Sequence, residues 1–284
     1  MILLHVAVAA LYALTALALW PAAAKPGGLG NLAGALSRVP TSAVTAMLVL
    51  AIVLNAWLAW RDVATPEGLD ISLLNAVSVV GALVAAVAWA SGLLKTMPSV
   101  GTVILPVSSV AILLPALLPY VFPSTFASPH RYAYATDALA AAHVAVALVS
   151  YAMFFVAALQ ALVLMGLEKR LRRPIPDPDA AALPPLLTLE RFLCRLVATG
   201  FVLLTLTLAS GMLFTEELFG KPLTFTHKIV FSILGWLTFG ALLWGRWRYG
   251  WRGRIALRWI IAGTVFLFLA YLGSKFVLEV LLKR

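Results

Sequence analysis

Four histidines, His5, His130, His143 and His227, are the residues of this 284-residue chain with the widest chemistry open to them. Neutral imidazole is the commonest protein ligand for transition metals and changes charge near neutral pH. Buried in a membrane helix it carries a desolvation cost, which a hydrogen bond, a water-filled cavity or a metal offsets. Each histidine is open to two readings, a bond to a neighbouring helix with no ligand involved, or a ligand to a metal centre. His130, next to Arg131 in a loop, reads as a solvated side chain. Other chemistry lacks a motif: the sequence shows no nucleophile elbow and no phosphate loop, and His227 has no nearby Cys or Glu spacing typical of zinc. Cys194 is the single cysteine and reads as packing. The expectation is a protein that binds rather than catalyses, with no catalytic residue.

The elements that must hold these side chains are membrane helices. Hydrophobic residues make up 63% of the chain and charged residues 11%, against about 25% charged in soluble domains. Apolar runs of roughly 20 residues recur throughout, each long enough for a hydrocarbon core of about 30 Å. The short alternating segments of a β-barrel are not visible. The fold class expected is all-α, a polytopic membrane bundle of about eight helices. They are placed at about 1–20, 41–60, 72–94, 99–118, 138–167, 190–214, 228–246 and 256–281. The first could be mistaken for a signal peptide ending in WPAAAK, but no basic residue precedes Lys25, so a retained helix is expected.

The net charge of +10 falls in short loops and brings no nucleic-acid signature, so the lipid bilayer is the expected partner rather than DNA or RNA. The densest basic clusters, Lys169 to Arg173 and Arg246 to Arg258, fall on one side if the N-terminus is outside. That side is cytoplasmic by the positive-inside rule, which puts both termini and all four histidines on the outer side. The chain reads as one domain, residues 1–284, with four helices and an outer loop in 1–136 and the remainder in 137–284. No internal repeat is apparent, and this argues against a transporter built from repeated halves.

Other polar residues in the helices have structural readings. Asn55, Asn75, Gln160, Tyr151, Thr205, Thr207 and Ser210 are expected to bond between helices. Lys275 and Glu279 are spaced to pair on one helix face. The arginines of RWRYGWRGRIALR read as topology determinants, with attraction of anionic lipid as the alternative. Trp244, Trp247 and Trp251 read as an interfacial belt.

Two facing imidazoles would be suitable axial ligands for haem iron, and a family resemblance bears on that possibility. The segment AAHVAVALVSYAMFFVAALQAL, residues 141–162, resembles the helix of the cytochrome c assembly superfamily that begins with an outward-facing histidine. In synthase components of the CcsA and ResC type that histidine ligates haem, and by position it maps onto His143. LLTLTLASGMLF resembles the helix leading into the family's tryptophan-rich loop, and GWRGRIALRWIIAGTVFLFLAYLGSKFV its closing segment. The loop here, TEELFGKPLTFTHK, departs from the pattern: it has no tryptophan, keeps Phe219 and Phe225, and has His227 and Lys228 where a Pro-Lys pair is usual. The family's second outer histidine follows the eighth helix, and that ligand is expected to be missing. The short HemX and YpjD type is more similar, through SLLN at 72–75, PPLLTLER at 184–191 and GWRGR at 250–254.

What the resemblance implies is a haem-handling protein of the bacterial inner membrane that binds or presents haem on the outer side. His143 and His227 would ligate the iron, with Phe219 and Phe225 as ring contacts. Its partners would be cytochrome c maturation or haem-biosynthesis proteins. The alternative is a non-catalytic partner or regulator that keeps the scaffold without a working haem site.

Overall fold

A computed structural model describes residues 2–20, 34, 36, 39–65, 68–70, 72–96, 98–123, 138–171, 186–213 and 227–276. The helices are α1 (Ile2–Ala18), α2 (Thr41–Val63), α3 (Leu73–Ala90), the short α4 (Leu93–Thr96), α5 (Pro98–Val121), α6 (Ala138–Leu171), α7 (Leu186–Leu213), α8 (His227–Tyr249) and α9 (Arg254–Phe268). A π-helical segment, Leu269–Gly273, and one further turn, α10 (Ser274–Phe276), extend α9. Every expected helix is present. Among the described residues, seven helices are long and apolar enough to cross a membrane, and α1, at 17 residues, is a shorter apolar helix. At 1.5 Å per residue α1 spans about 26 Å. The all-α membrane architecture therefore stands.

Two local features differ from the sequence reading. The loop between α2 and α3 contains a two-residue antiparallel ladder, Ala64 with Leu69 and Thr65 with Gly68. The third expected helix stops at Ala90, where Gly92 takes a φ of 72° and turns the chain into α4. Only glycine enters that left-handed region without a Cβ penalty.

The chain divides into two compact units, one built from α1 to α5 and one from α6 to α10. In the first, α1, α2, α3 and α5 form a closed ring in that order, each packed on the next and α5 on α1. In the second, α6, α7, α8 and α9 form a ring of the same order. Lipid tails are as apolar as leucine, so such rings are held by close packing and hydrogen bonds rather than by hydrophobic burial. Gly81 of α3 shows both: a Cβ there would lie 2.6 Å from the Ala111 Cβ of α5, and its carbonyl accepts the Ser108 hydroxyl at 2.8 Å. In the second unit the Phe154 and Phe239 rings stack at 3.9 Å, and a Cβ on Gly263 would meet Phe239 at 2.7 Å. The outward faces carry exposed Leu50, Val53, Leu162, Val202, Leu206 and Val265, as lipid contact requires.

Candidate functional site

α6 and α7 run antiparallel, and three polar bridges set their register. His143 Nδ1 meets Ser210 Oγ at 2.8 Å, Ser150 donates to the Gly200 carbonyl at 3.0 Å, and Gln160 Nε2 donates to the Leu189 carbonyl at 3.3 Å. Ser150 and Gln160 are buried, so their polar atoms depend on these partners in a medium that offers no water. The register puts His143, one turn into α6, against the last turn of α7. Gly211 leaves room for the ring there: a Cβ on it would come within 3.3 Å of the His143 Cε1.

Ser210 fixes how His143 is held. Its hydroxyl lies 2.8 Å from His143 Nδ1 and 3.1 Å from the Thr207 carbonyl, so it bridges the ring to the α7 backbone. Histidines that ligate a metal through one nitrogen are oriented through the other in this way. The side chain is half-buried.

Three further groups gather at this end of the unit. Lys228, in the first turn of α8, lies near enough for its charge to act on His143, and its Nζ stands 5.5 Å from the centre of the Tyr271 ring. Tyr271 belongs to the π-helical segment, a type of distortion common at functional sites. Its ring lies 5.8 Å from that of Tyr151, whose hydroxyl interacts with Ser232 of α8. Together these contacts bring an imidazole, a cation and two tyrosine rings into one part of the unit.

His227 is the exposed first residue of α8, adjacent to Lys228 in sequence. Phe219, Phe225 and His130 lie outside the described residues, as does Glu279. His5 belongs to the other unit, where it is buried and its Nε2–H donates to Asp62 Oδ2 at 3.1 Å. Among the described residues no three His, Cys, Asp or Glu side chains come together to hold a metal ion.

Sequence reasoning assigned Ser210 only a helix–helix bond and did not single out Gly211 or Tyr271. The usable signal was the Ser-Gly pair one turn before the end of an apolar helix, at the depth expected of His143. Trp251 also has a packing role. Its ring is seated on Gly245, where a Cβ would clash with it, and packs against Trp259 at 5.3 Å. Trp244 and Trp247 are exposed as a belt requires. The turn that Trp251 anchors is fixed by positive φ at Gly250 and Gly253. It is gripped by Glu190, which accepts the Gly253 N–H at 3.1 Å, and by Glu168, 3.2 Å from Arg254.

A model of the family described as cytochrome C assembly protein matches residues 3–282. The inner membrane protein YpjD of Escherichia coli is 32% identical over 272 residues, covering 96% of this chain and 98% of YpjD. A 28.8 kDa protein from the nifR3-like 5′ region of Azospirillum brasilense is 35% identical over 140 residues, 49% of this chain and 52% of its own length. The cytochrome c biogenesis protein CcsA of a Synechococcus strain is 32% identical over 120 residues, 37% of this chain and 34% of CcsA. No solved structure matches the chain.

Proposed function

The chain belongs to the cytochrome c assembly protein family, and from that footing we propose that it handles haem in the bacterial inner membrane. In this reading it binds or presents haem on the outer side, at the His143 end of the α6–α9 unit. The observation that carries the reading is the Thr207–Ser210–His143 chain, which orients the His143 imidazole through Nδ1; His143 would be an iron ligand there. When bound, haem supplies the iron centre; the protein holds and orients it. Lys228 would counter a carboxylate at the ring edge, and Tyr271 and Tyr151 would line its apolar face. His227, one residue from Lys228, would be a second residue holding the iron, with Phe219 and Phe225 as ring contacts. The outer orientation rests on the distribution of basic loops in the sequence. Cytochrome c maturation or haem-biosynthesis proteins are the partners this reading implies, and it assigns no reaction.

A second reading, a membrane partner or regulator without a working haem site, draws on one sequence fact. The segment 215–228, where the family has a tryptophan-rich platform, contains no tryptophan.

The test is the absorption spectrum of detergent-purified protein titrated with haemin, wild type beside His143→Ala and His227→Ala. The proposal expects a Soret band with sharp reduced-state bands in wild type and their loss or shift in both variants. A change in His143→Ala alone keeps the haem site and removes His227 from it. No haemin binding in wild type favours the regulator.

A further inference from the structure

Helices α7 and α9 start at one end of the C-terminal unit, where Glu190 grips the Gly253 N–H, and His143 lies at the other end of α7, against Ser210. The two helices begin with the same pattern. RFLCRLVATGFVLLTL at 191–206 and RIALRWIIAGTVFLFL at 254–269 are identical at six of 16 positions. This is a repeat of one helix, not of half the chain, and the shared residues fall into two sets. Gly200 and Gly263 each sit against an aromatic ring: a Cβ would lie 3.2 Å from Phe154 on the first and 2.7 Å from Phe239 on the second. Leu204 and Leu267, one turn further on, are both buried. The inward faces of the two helices therefore pack alike. The second set points outward. Arg191, Arg195, Val202 and Leu206 of α7 recur at the same spacing as Arg254, Arg258, Val265 and Leu269 of α9 and its π-helical extension. Each set of four lies on one helix face, and all eight side chains are exposed.

We propose that these two outward faces are equivalent binding sites for anionic phospholipid, each pairing two arginines with the headgroup and a Val-Leu track with an acyl chain. Depth and length both fit. Exposed Trp244 and Trp247 on α8, which stands between α7 and α9 in the ring, mark headgroup depth at this end. From Arg195 to Leu206 a helix rises about 16 Å, close to the half-thickness of a hydrocarbon core of about 30 Å. Setting helix orientation takes lysine or arginine alike. All four positions here are arginine, whose planar fork matches phosphate oxygens in pairs. Two positive charges per face also favour a headgroup of net negative charge, because the choline cation of a zwitterionic lipid would meet the second arginine. The faces differ in one respect. Arg254 shares its Nε with Glu168 at 3.2 Å, so the α7 site is the tighter of the two.

The proposal is independent of the haem reading. Full-length protein in detergent is titrated with dioleoylphosphatidylglycerol and, separately, with dioleoylphosphatidylcholine, and bound lipids are counted by native mass spectrometry. Two tight steps are expected for phosphatidylglycerol, each about tenfold tighter than any step for phosphatidylcholine. Arg191→Lys with Arg195→Lys should weaken the tighter step about tenfold, and Arg254→Lys with Arg258→Lys the other, although the net charge is unchanged. Equal affinity for the two lipids, or lysine variants that bind as wild type does, overturn the proposal and leave the arginines as topology determinants. If one lysine pair does not fold, the other pair decides, together with the comparison of lipids on wild type. Inorganic phosphate in excess should leave the lipid in place; displacement by phosphate alone would mean that the acyl tracks contribute nothing, which overturns the sites as drawn. Polyglutamate that displaces the lipid, and itself weakens in the same variants, would assign the arginines to a soluble acidic partner and overturn the lipid assignment.

Discussion

The N-terminal and C-terminal units spend the same residue differently. In the first, His5 is buried beneath a carboxylate that is itself tied to Arg61 and, through its backbone, to Asn75. In the second, His143 is half-buried beside a glycine and held by a neutral hydroxyl. A carboxylate gives imidazole a strong charge-assisted bond, so the first site gains cohesion. A serine hydroxyl orients the ring through Nδ1 with a neutral bond, so the second site gains orientation more than cohesion. The lesson is that a histidine's role in a membrane bundle follows from the partner that reaches it and from which nitrogen that partner takes.

The sharpest way to break this contrast is Asp62→Ala. It leaves His5 buried without its charged partner and should lower stability by about 2–3 kcal/mol. Thermal unfolding in detergent would show it, while haemin binding stays unchanged. A fall in haemin binding as large as that of His143→Ala would erase the distinction between the units.

Next in size is Gly263→Val, which drives a branched side chain into the Phe239 ring, 2.7 Å from where a Cβ would sit. Overpacking of this kind costs about 1–3 kcal/mol. Gly81→Val at the corresponding tight crossing of the first unit should cost a similar amount, since its Cβ would lie 2.6 Å from Ala111. Melting temperatures of the two variants side by side test whether both rings depend on close approach. Tolerance at one position only would mean that they do not.

Ser210→Ala should weaken haemin binding by about tenfold, the lower end of what loss of an orienting partner costs a metal-ligating histidine, with little change in melting. An unchanged titration would remove Ser210 as the residue that orients His143 for haem. The smallest effect belongs to Arg254→Gln at the opposite end of the second unit. Its own side chain is half exposed, so the loss of its pair with Glu168 should be about 0.5 kcal/mol, and a much larger one would mean that the turn at 250–254 is held mainly by that pair.

Much of the scaffold was legible in the residues themselves. The span of hydrocarbon demands long apolar runs, and these gave the helices to within a few residues. The glycines of GWRGR announced a turn. Harder to read were features whose signal is one residue deep. The halt of α3 near Gly92 hides inside an apolar run, because a left-handed glycine leaves no mark on hydropathy.

By itself the sequence determined that this chain is a multi-pass membrane protein of helices and that His143 belongs near the start of one of them. Backbone groups in lipid must be satisfied within the helix, so composition and length suffice for that much. Only the tertiary structure decided that Ser210 reaches Nδ1 of His143, that Asp62 reaches Nε2 of His5, and that Lys228 and Tyr271 gather beside the former. Those contacts join residues 67 and 57 positions apart. They depend on antiparallel register and on single glycines that let helices or rings approach, quantities that packing sets and that no local pattern encodes.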